Sequence, residues 1–138
     1  PSGDQGVIFC DSTNRNGNDF RLAIRPDLKT LLGRGDKPPM KPHLDYELSL
    51  GVVKPQTWFH VAYLFSESKQ QLFVNGILAD TSSSGVVNVG HHASTPTIGS
   101  NSDWARSLFF KGGMDNLRIY NRELSALEIR SIYDFEKP

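Results

Sequence analysis

The sequence predicts an all-β fold, an antiparallel β-sandwich that carries one short helix at its C-terminal end. Apolar runs of no more than four or five residues alternate with turn residues along most of the chain, which is typical of short strands. An Asn-Gly pair separates two of these runs, and a helical capping pattern occurs only near the end. The 138 residues are enough for a single domain, 1–138, with its own core.

The first half of the chain predicts three short strands. Gly6–Cys10 is an apolar run, and its lone cysteine is expected to be a small core residue. Phe20–Ile24 and Asp45–Leu50 both alternate apolar and polar residues, which indicates half-buried strands. Leu32–His43 contains glycine, three prolines and mixed charge, and it predicts a long exposed loop.

The second half predicts a hairpin and further short strands. Asn75-Gly76 favours a type I′ turn, because both central positions of that turn need positive φ. Trp58 begins a core strand and is expected to be structural. The predicted strands are Trp58–Phe65, Gln71–Val74, Ile77–Ala79, Val86–Val89 and Thr97–Ile98.

The last element is predicted to be an amphipathic helix. Ser125 at the N-cap and Glu128 three residues later form a capping box, and Leu124 and Ile129 occupy the positions of a hydrophobic staple. Ile129, Ile132 and Tyr133 share one face, so the helix is expected to pack on the sheets.

Composition excludes several classes of function. Charge is balanced, with 15 basic and 15 acidic residues and no basic cluster, which argues against nucleic acid or an anionic membrane as the main partner. No apolar run is long enough to span a bilayer or to act as a signal peptide, although a chain starting at Pro1 is compatible with a removed leader. A single cysteine rules out cysteine-based zinc motifs.

The segments TWFHVAYLF, QQLFVNGILAD, TPTIGS and LFFKGGMDNLRIYNRELSALEIRSIY carry a family resemblance. Their order and spacing are similar to those of laminin-G-like, concanavalin A-like jelly-roll domains over the second half to two-thirds of the chain. The matching residues are Trp58, His60, Val61, Ala62, Leu72, Val74, Asn75, Gly76, Ile98, Gly99, Phe110, Gly112, Asp115, Leu117, Arg118, Ile119, Tyr120, Asn121, Arg122, Leu124, Ser125, Glu128 and Ile129.

The resemblance implies two sheets in jelly-roll order and a non-catalytic recognition module that is secreted or at the cell surface. Its expected ligand is a carbohydrate or glycoprotein, supported by a structural calcium ion. The alternative is a structural or protein-interaction module of a larger adhesion protein without a sugar site. The family's opening strands have no counterpart here, so we expect a fragment of a longer domain, or another chain that covers the exposed edge strand.

Catalysis is not expected. Glycosidases with a similar jelly-roll fold use carboxylates spaced Glu-x-Asp-x-x-Glu on one strand face. This chain lacks that run. Asp45 and Glu47 come nearest, and a solvated strand face explains them better. His91 and His92 are adjacent and point apart in an extended chain, so they do not share a metal, and His60 is expected to be structural.

Trp104 is the candidate ligand residue. It lies in a polar loop with Asn101, Asp103 and Arg106, and a flat indole beside polar groups suits a sugar ring. The alternative is that the indole closes one end of the sandwich. Another surface motif, Arg34-Gly35-Asp36, matches the tripeptide that integrins recognise, but this tripeptide also arises by chance.

Asp115 is the candidate metal ligand. The two-residue period places it on the same strand face as Leu117 and Ile119, so the carboxylate needs donors, a cation or a position at the rim. The family resemblance implies that it helps to hold calcium together with backbone carbonyls of the N-terminal part. The alternative, which remains open at this stage, is that Asp115 accepts hydrogen bonds from backbone N–H groups without an ion.

Overall fold

The computed structural model describes two antiparallel sheets and one C-terminal helix. The described residues are 6–12, 19–24, 31–35, 54, 56–66, 68–83, 96–100 and 109–137. The strands are β1 (Gly6–Ser12), β2 (Asp19–Ile24), β3 (Leu31–Gly35), β4 (Val61–Phe65), β5 (Gln70–Val74), β6 (Ile77–Ser82) and β7 (Thr97–Ile98), and the helix is α1 (Ala126–Glu136). The predicted β-sandwich with one short helix is confirmed.

The first sheet has the strand order β3-β2-β1-β7, and every pair in it is antiparallel. A register shift between Val7 and Phe9 interrupts the pairing of β1 with β2, which is the signature of a β-bulge. The prediction of a loop from Leu32 onward is wrong for its first residues. Gly33 and Gly35 pair with Leu22 and Phe20 of β2, and this cross-strand pairing outweighs the low strand propensity of glycine.

The second sheet has the order β4-β5-β6 and contains the predicted hairpin. Asn75 and Gly76 have φ angles of 50° and 73°, so both turn positions lie in the left-handed region as predicted. Asn75 is also bonded to the residue that precedes β4. The His60 N–H donates to Asn75 Oδ1 at 3.0 Å, and the Asn75 N–H donates to the His60 carbonyl at 2.9 Å.

The main core cluster joins the two sheets. Ile24 of β2 and Leu72 of β5 are buried together, and partly buried apolar side chains from both sheets surround them: Ile8, Leu22, Phe59, Val61, Tyr63, Val74 and Phe110. Ala23 points to the opposite face of β2, where it is buried with Val7 and Cys10. The predicted burial of Cys10 is therefore confirmed, and the first sheet has buried residues on both faces.

The helix is capped and packed as predicted. The Glu128 N–H donates to Ser125 Oγ at 3.2 Å, and the Ser125 N–H donates to Glu128 Oε2 at 2.8 Å. Leu124 and Ile129 are buried against Leu64 and Phe73 of the second sheet, so α1 covers the outer face of that sheet. α1 is too short and too polar to cross a membrane, and it is the only helix in the described part of the chain.

The segment from Gly113 to Tyr120 differs most from the prediction. It was expected to be a strand with Leu117 and Ile119 pointing inward, but it forms no strand with the other described residues, and every residue in it is exposed. Leu117 is 49% exposed and Ile119 is 75% exposed. A period of two indicates which side chains share a face, but it does not supply the neighbouring strand that would bury them.

Candidate functional site

The loop that carries Trp104 begins and ends at the edge of the first sheet. The four candidate ligand residues, Asn101, Asp103, Trp104 and Arg106, lie outside the described residues, but both ends of the loop are described. The Phe110 N–H donates to the Gly99 carbonyl at 2.8 Å, which holds the two ends side by side. The Gly99 N–H donates to the Ile8 carbonyl at 2.9 Å and so ties this closed loop to β1.

A second hydrogen bond shapes the beginning of the loop. Thr97 Oγ1 donates to the Ser100 carbonyl at 2.6 Å, which turns the chain immediately after β7. Gly99 has a φ of 75°, and a Cβ at this position would come within 3.2 Å of Met114 Cε. Glycine therefore allows both the turn and the contact, and the loop starts from a well-defined point next to Met114.

An exposed indole lies near this point, but it belongs to the other tryptophan. Trp58 was expected to begin a core strand and to be structural, but it is 63% exposed and precedes β4, which begins at Val61. Its six-membered ring packs on the backbone of Gly113, the residue that precedes Met114. Exposed side chains of Trp58, Met114 and Ile98 thus lie next to the base of the Trp104 loop.

Asp115 lies on the surface and accepts one local hydrogen bond. It does not lie on an inward-facing strand face with Leu117 and Ile119, because the segment around it is exposed throughout. The Asn116 N–H donates to Asp115 Oδ1 at 2.8 Å, and Asn116 has a left-handed φ of 51°. This bond matches the alternative in which the carboxylate accepts from a backbone N–H.

The surroundings of Asp115 fit a calcium ion only in part. Within the described ranges, no group of three or more His, Cys, Asp or Glu side chains is placed to hold a metal. Calcium takes about six to eight oxygen ligands, so an ion at Asp115 would depend on backbone carbonyls and water for most of them. An exposed carboxylate by itself supplies at most two of these oxygens.

His60 has a structural environment, as predicted. Its ring lies 6.0 Å from that of Tyr133 on α1, centroid to centroid, and its Nδ1 is buried without a hydrogen-bond partner among the described residues. Burial lowers the pKa of His60, nearby Glu136 raises it and Arg118 lowers it further. The His60 ring, which lies between the second sheet and the helix, is therefore neutral.

A buried polar pair in the second sheet was not predicted. The Tyr63 hydroxyl donates to Gln70 Oε1, and the Gln70 side chain is completely buried. Burial raises the pKa of Tyr63 well above its usual value, so the hydroxyl stays protonated. Gln70 lies just before the predicted strand Gln71–Val74, although it shares a strand face with Leu72, which is the signal that could have shown its burial.

The remaining candidate motifs are only partly described. Gly33, Arg34 and Gly35 belong to β3, whose backbone pairs with β2, so this part of the Arg-Gly-Asp motif is not in a free loop. The other candidate residues lie outside the described residues: Asp36, Asp45, Glu47, His91 and His92. The predicted strands Asp45–Leu50 and Val86–Val89 also lie outside them.

Comparison with known proteins identifies similarities at the level of fold and family. Residues 2–130 match a laminin G family model described as the concanavalin A-like lectin/glucanases superfamily. The crystal structure of an S-layer domain-containing protein (residues 221–444) from Clostridium thermocellum has a similar fold, with a TM-score of 0.54 and 21% identity. The alignment covers 96% of this chain but only 64% of that one. A comparison with curated proteins found no match.

Proposed function

Because the chain belongs to the concanavalin A-like lectin/glucanases superfamily, as a laminin G-like domain, we propose that it is a non-catalytic recognition module for a carbohydrate or glycoconjugate. The observation that carries this proposal is the family match over residues 2–130, which includes both sheets and the start of the helix. A jelly-roll fold alone hosts many activities, so the ligand class rests on the family and on the candidate loop.

The proposed ligand site is the loop that contains Trp104. An indole offers a flat apolar surface for the C–H face of a sugar ring, while Asn101, Asp103 and Arg106 offer donors and acceptors for its hydroxyls. The hydrogen bond between Gly99 and Phe110 supports this proposal, because a loop with fixed ends loses less entropy when it binds.

The proposed location is outside the cell or at its surface. The family match supports it. The similarity to an S-layer domain-containing protein, at 21% identity, concerns the fold alone, so the proposed location rests on the family.

A protein-interaction module is the second candidate, and one observation favours it. Trp58, Met114 and Ile98 are exposed: Ile98 precedes Gly99, Met114 contacts Gly99, and Trp58 packs on Gly113. Exposed apolar side chains on neighbouring segments are typical of interaction surfaces, whereas a sugar site also needs polar groups around the aromatic ring. In this alternative the partner is a protein, and no sugar is bound.

We also propose that Asp115 binds a calcium ion, and that this ion has a structural role only. The exposed carboxylate supports it, since Oδ1 accepts the Asn116 N–H and the described residues direct no hydrogen bond to Oδ2. The proposed role of the ion is to stabilise the domain, and ligand binding at the Trp104 loop does not depend on it.

A glycan array separates the two candidate functions. The purified chain is applied with calcium and with a chelator, and the wild type is compared with Trp104→Ala and Trp58→Ala. Binding to defined glycans that is lost in Trp104→Ala supports the carbohydrate module. No binding to any glycan under either condition contradicts it and favours the protein-interaction module.

Glycoside hydrolysis is tested with the same purified protein. We expect no release of reducing sugar from common polysaccharides, because the sequence lacks the Glu-x-Asp-x-x-Glu run and its nearest carboxylate pair is Asp45 and Glu47. Hydrolysis that disappears in Asp45→Asn or Glu47→Gln would replace the proposed function with an enzymatic one.

A further inference from the structure

His60 lies at one end of the second sheet, where the β5–β6 turn meets the C-terminal part of α1. Two hydrogen bonds with Asn75, of 3.0 Å and 2.9 Å, fix its backbone to the turn. Its ring lies 6.0 Å from the ring of Tyr133, centroid to centroid. A Cβ on Gly76 would come within 3.1 Å of the same tyrosine, so turn and helix are in close contact here. The His60 ring therefore has a defined position between sheet and helix.

Two polar atoms of this region are buried without a hydrogen-bond partner among the described residues. They are Nδ1 of His60 and Oε1 of Glu136, the last residue of α1. The Glu136 side chain is only 13% exposed. The Arg118 guanidinium forms an ion pair with the same oxygen, but without hydrogen-bonding geometry. A buried acceptor that keeps no hydrogen bond is costly, so both atoms stand to gain from a shared proton.

The charges around His60 act in opposite directions. Burial lowers the pKa of His60 most, Glu136 raises it, and Arg118 lowers it further. α1 also directs Tyr133 toward the ring, and Arg130 lies over that tyrosine at 5.4 Å from its centroid. The β5–β6 turn contributes only neutral residues. Among the described residues, Glu136 is therefore the one anion that acts on His60, and this anion is shared with Arg118.

We propose that His60 is a proton-operated switch between α1 and the segment that contains Arg118. While the ring is neutral, Glu136 stays paired with Arg118 and ties the end of the helix to this segment. When the ring takes a proton from solvent, Nδ1–H donates to Glu136 Oε1 and Arg118 is released. The added proton satisfies both buried atoms in one charge-assisted hydrogen bond.

The switch operates on the acidic side of neutrality. Because burial holds the pKa of His60 below 6.5, the ring is neutral at pH 7 and the tie to Arg118 is closed. The unfolded chain takes up the proton at a higher pH than the folded one, so the folded state loses stability as the pH falls below 6.5. The new bond to Glu136 offsets part of this loss, and the helix stays folded while its tie to Arg118 opens.

A titration of the wild type by NMR tests the switch directly. The signals of the His60 ring and of Arg118 Nε are followed from about pH 7.5 to about pH 5, above the range in which carboxylates ordinarily titrate. We expect both signals to shift with one common midpoint, which lies below pH 6.5. An Arg118 signal that stays constant while His60 titrates overturns the proposal, because Glu136 has then not changed its partner.

His60→Gln shows whether the histidine causes the change at Arg118. Glutamine remains polar but does not titrate, so we expect the Arg118 signal to be constant over the same pH range. A shift that persists in this variant assigns the change to another group and contradicts the proposal. The comparison of midpoints in the wild type does not depend on how well this variant folds.

Glu136→Gln and Glu123→Gln form a matched pair. Each removes one carboxylate that is ion-paired in the wild type, with Arg118 and Lys69 respectively. We expect Glu136→Gln to move the His60 midpoint to lower pH and to abolish the shift of Arg118, whereas Glu123→Gln should change neither. Equal effects of both variants would reflect the net charge of the domain and would overturn the switch. Neither measurement uses a glycan, so this proposal and the proposed function fail or stand separately.

Discussion

The indole of Trp58 lies so close to the backbone of Gly113 that only a glycine fits beneath it. A Cβ at position 113 would come within 2.8 Å of Cη2 and 3.0 Å of Cζ2 of the ring. Gly113 does not need a left-handed φ, so the requirement for glycine comes from the ring alone. The contact connects the segment before β4 with the beginning of the exposed segment from Gly113 to Tyr120.

Gly113→Ala should displace the indole without unfolding the domain. The atoms that would clash belong to the far end of a mobile side chain, so we expect a loss of stability of no more than about 1 kcal/mol. Acrylamide quenching of Trp58 fluorescence, measured in a Trp104→Phe background, should increase. Gly6→Ala is the control, because its Cβ would make ordinary contacts of 3.6 Å or more. Unchanged quenching in Gly113→Ala would contradict the packing described.

Gly76→Ala should destabilise the hairpin and the helix that covers it. Gly76 has a φ of 73°, and an added Cβ would lie 3.0 Å from Arg130 Cδ and 3.1 Å from Tyr133 Cβ. Backbone strain and crowding together should cost about 1–3 kcal/mol in chemical denaturation. Asn75→Gly is the comparison, since it tolerates positive φ and loses only the bond from the His60 N–H. A larger effect of Asn75→Gly would show that this bond, and not the φ of Gly76, dominates the turn.

Glu128 should make the domain more sensitive to acid. The bidentate hydrogen bonds from Arg122, together with those from the Ser125 N–H and hydroxyl, lower the pKa of Glu128 from 4.5 to about 2. Because the pKa is lower in the folded protein, the stabilisation is complete above pH 4.5 and is lost as the pH falls toward 2.

The variant Glu128→Gln isolates this contribution. Glutamine keeps the geometry of the capping box but does not titrate, so other carboxylates such as Asp134 affect both proteins equally. We expect the difference in melting temperature between wild type and Glu128→Gln to shrink as the pH falls from 4.5 to 2. A difference that is independent of pH in this window would show that the charge of Glu128 is unimportant.

Trp104→Ala should remove ligand affinity while leaving the fold intact. If a glycan is identified on the array, loss of the stacking surface should weaken its binding by about 1–3 kcal/mol in calorimetry. Trp58→Ala removes the exposed indole near the base of this loop and should leave the affinity unchanged. A strongly destabilised Trp104→Ala would show instead that this indole closes the end of the sandwich.

Calcium should raise the melting temperature of the wild type if Asp115 holds an ion. An ion that binds only the folded state must stabilise it, by about 2.7 kcal/mol at one hundred times its dissociation constant. Asp115→Asn retains the acceptor for the Asn116 N–H but lacks the charge, so its melting temperature should not respond to calcium. If calcium changes the melting temperature of neither protein, the role of this side chain is to accept the hydrogen bond from the Asn116 N–H.

The sequence predicted those features that depend on a few neighbouring residues. The turn at Asn75-Gly76 and the capping box of Ser125 and Glu128 involve backbone and side-chain groups no more than three residues apart. The staple of Leu124 and Ile129 also follows from helix periodicity alone. Such interactions form in the same way whatever surrounds them, so the pattern is sufficient.

For the candidate site, the sequence identified residue types but could not determine their surroundings. The exposure of Trp58 and the burial of Gln70 depend on which distant segment lies beside each residue, and local periodicity carries no information about that. Asp115 was expected to share a face with core residues, but its surroundings are exposed and Oδ1 accepts the adjacent backbone N–H of Asn116.

The sequence by itself determined the two-residue alternation, the hairpin turn, the helix with its cap and the resemblance that indicates the family. Only the tertiary structure decided that Gly33 and Gly35 belong to a strand and that Leu117 and Ile119 remain exposed. The physical reason is that a strand is completed by hydrogen bonds to another segment, so its burial depends on whether that segment is present.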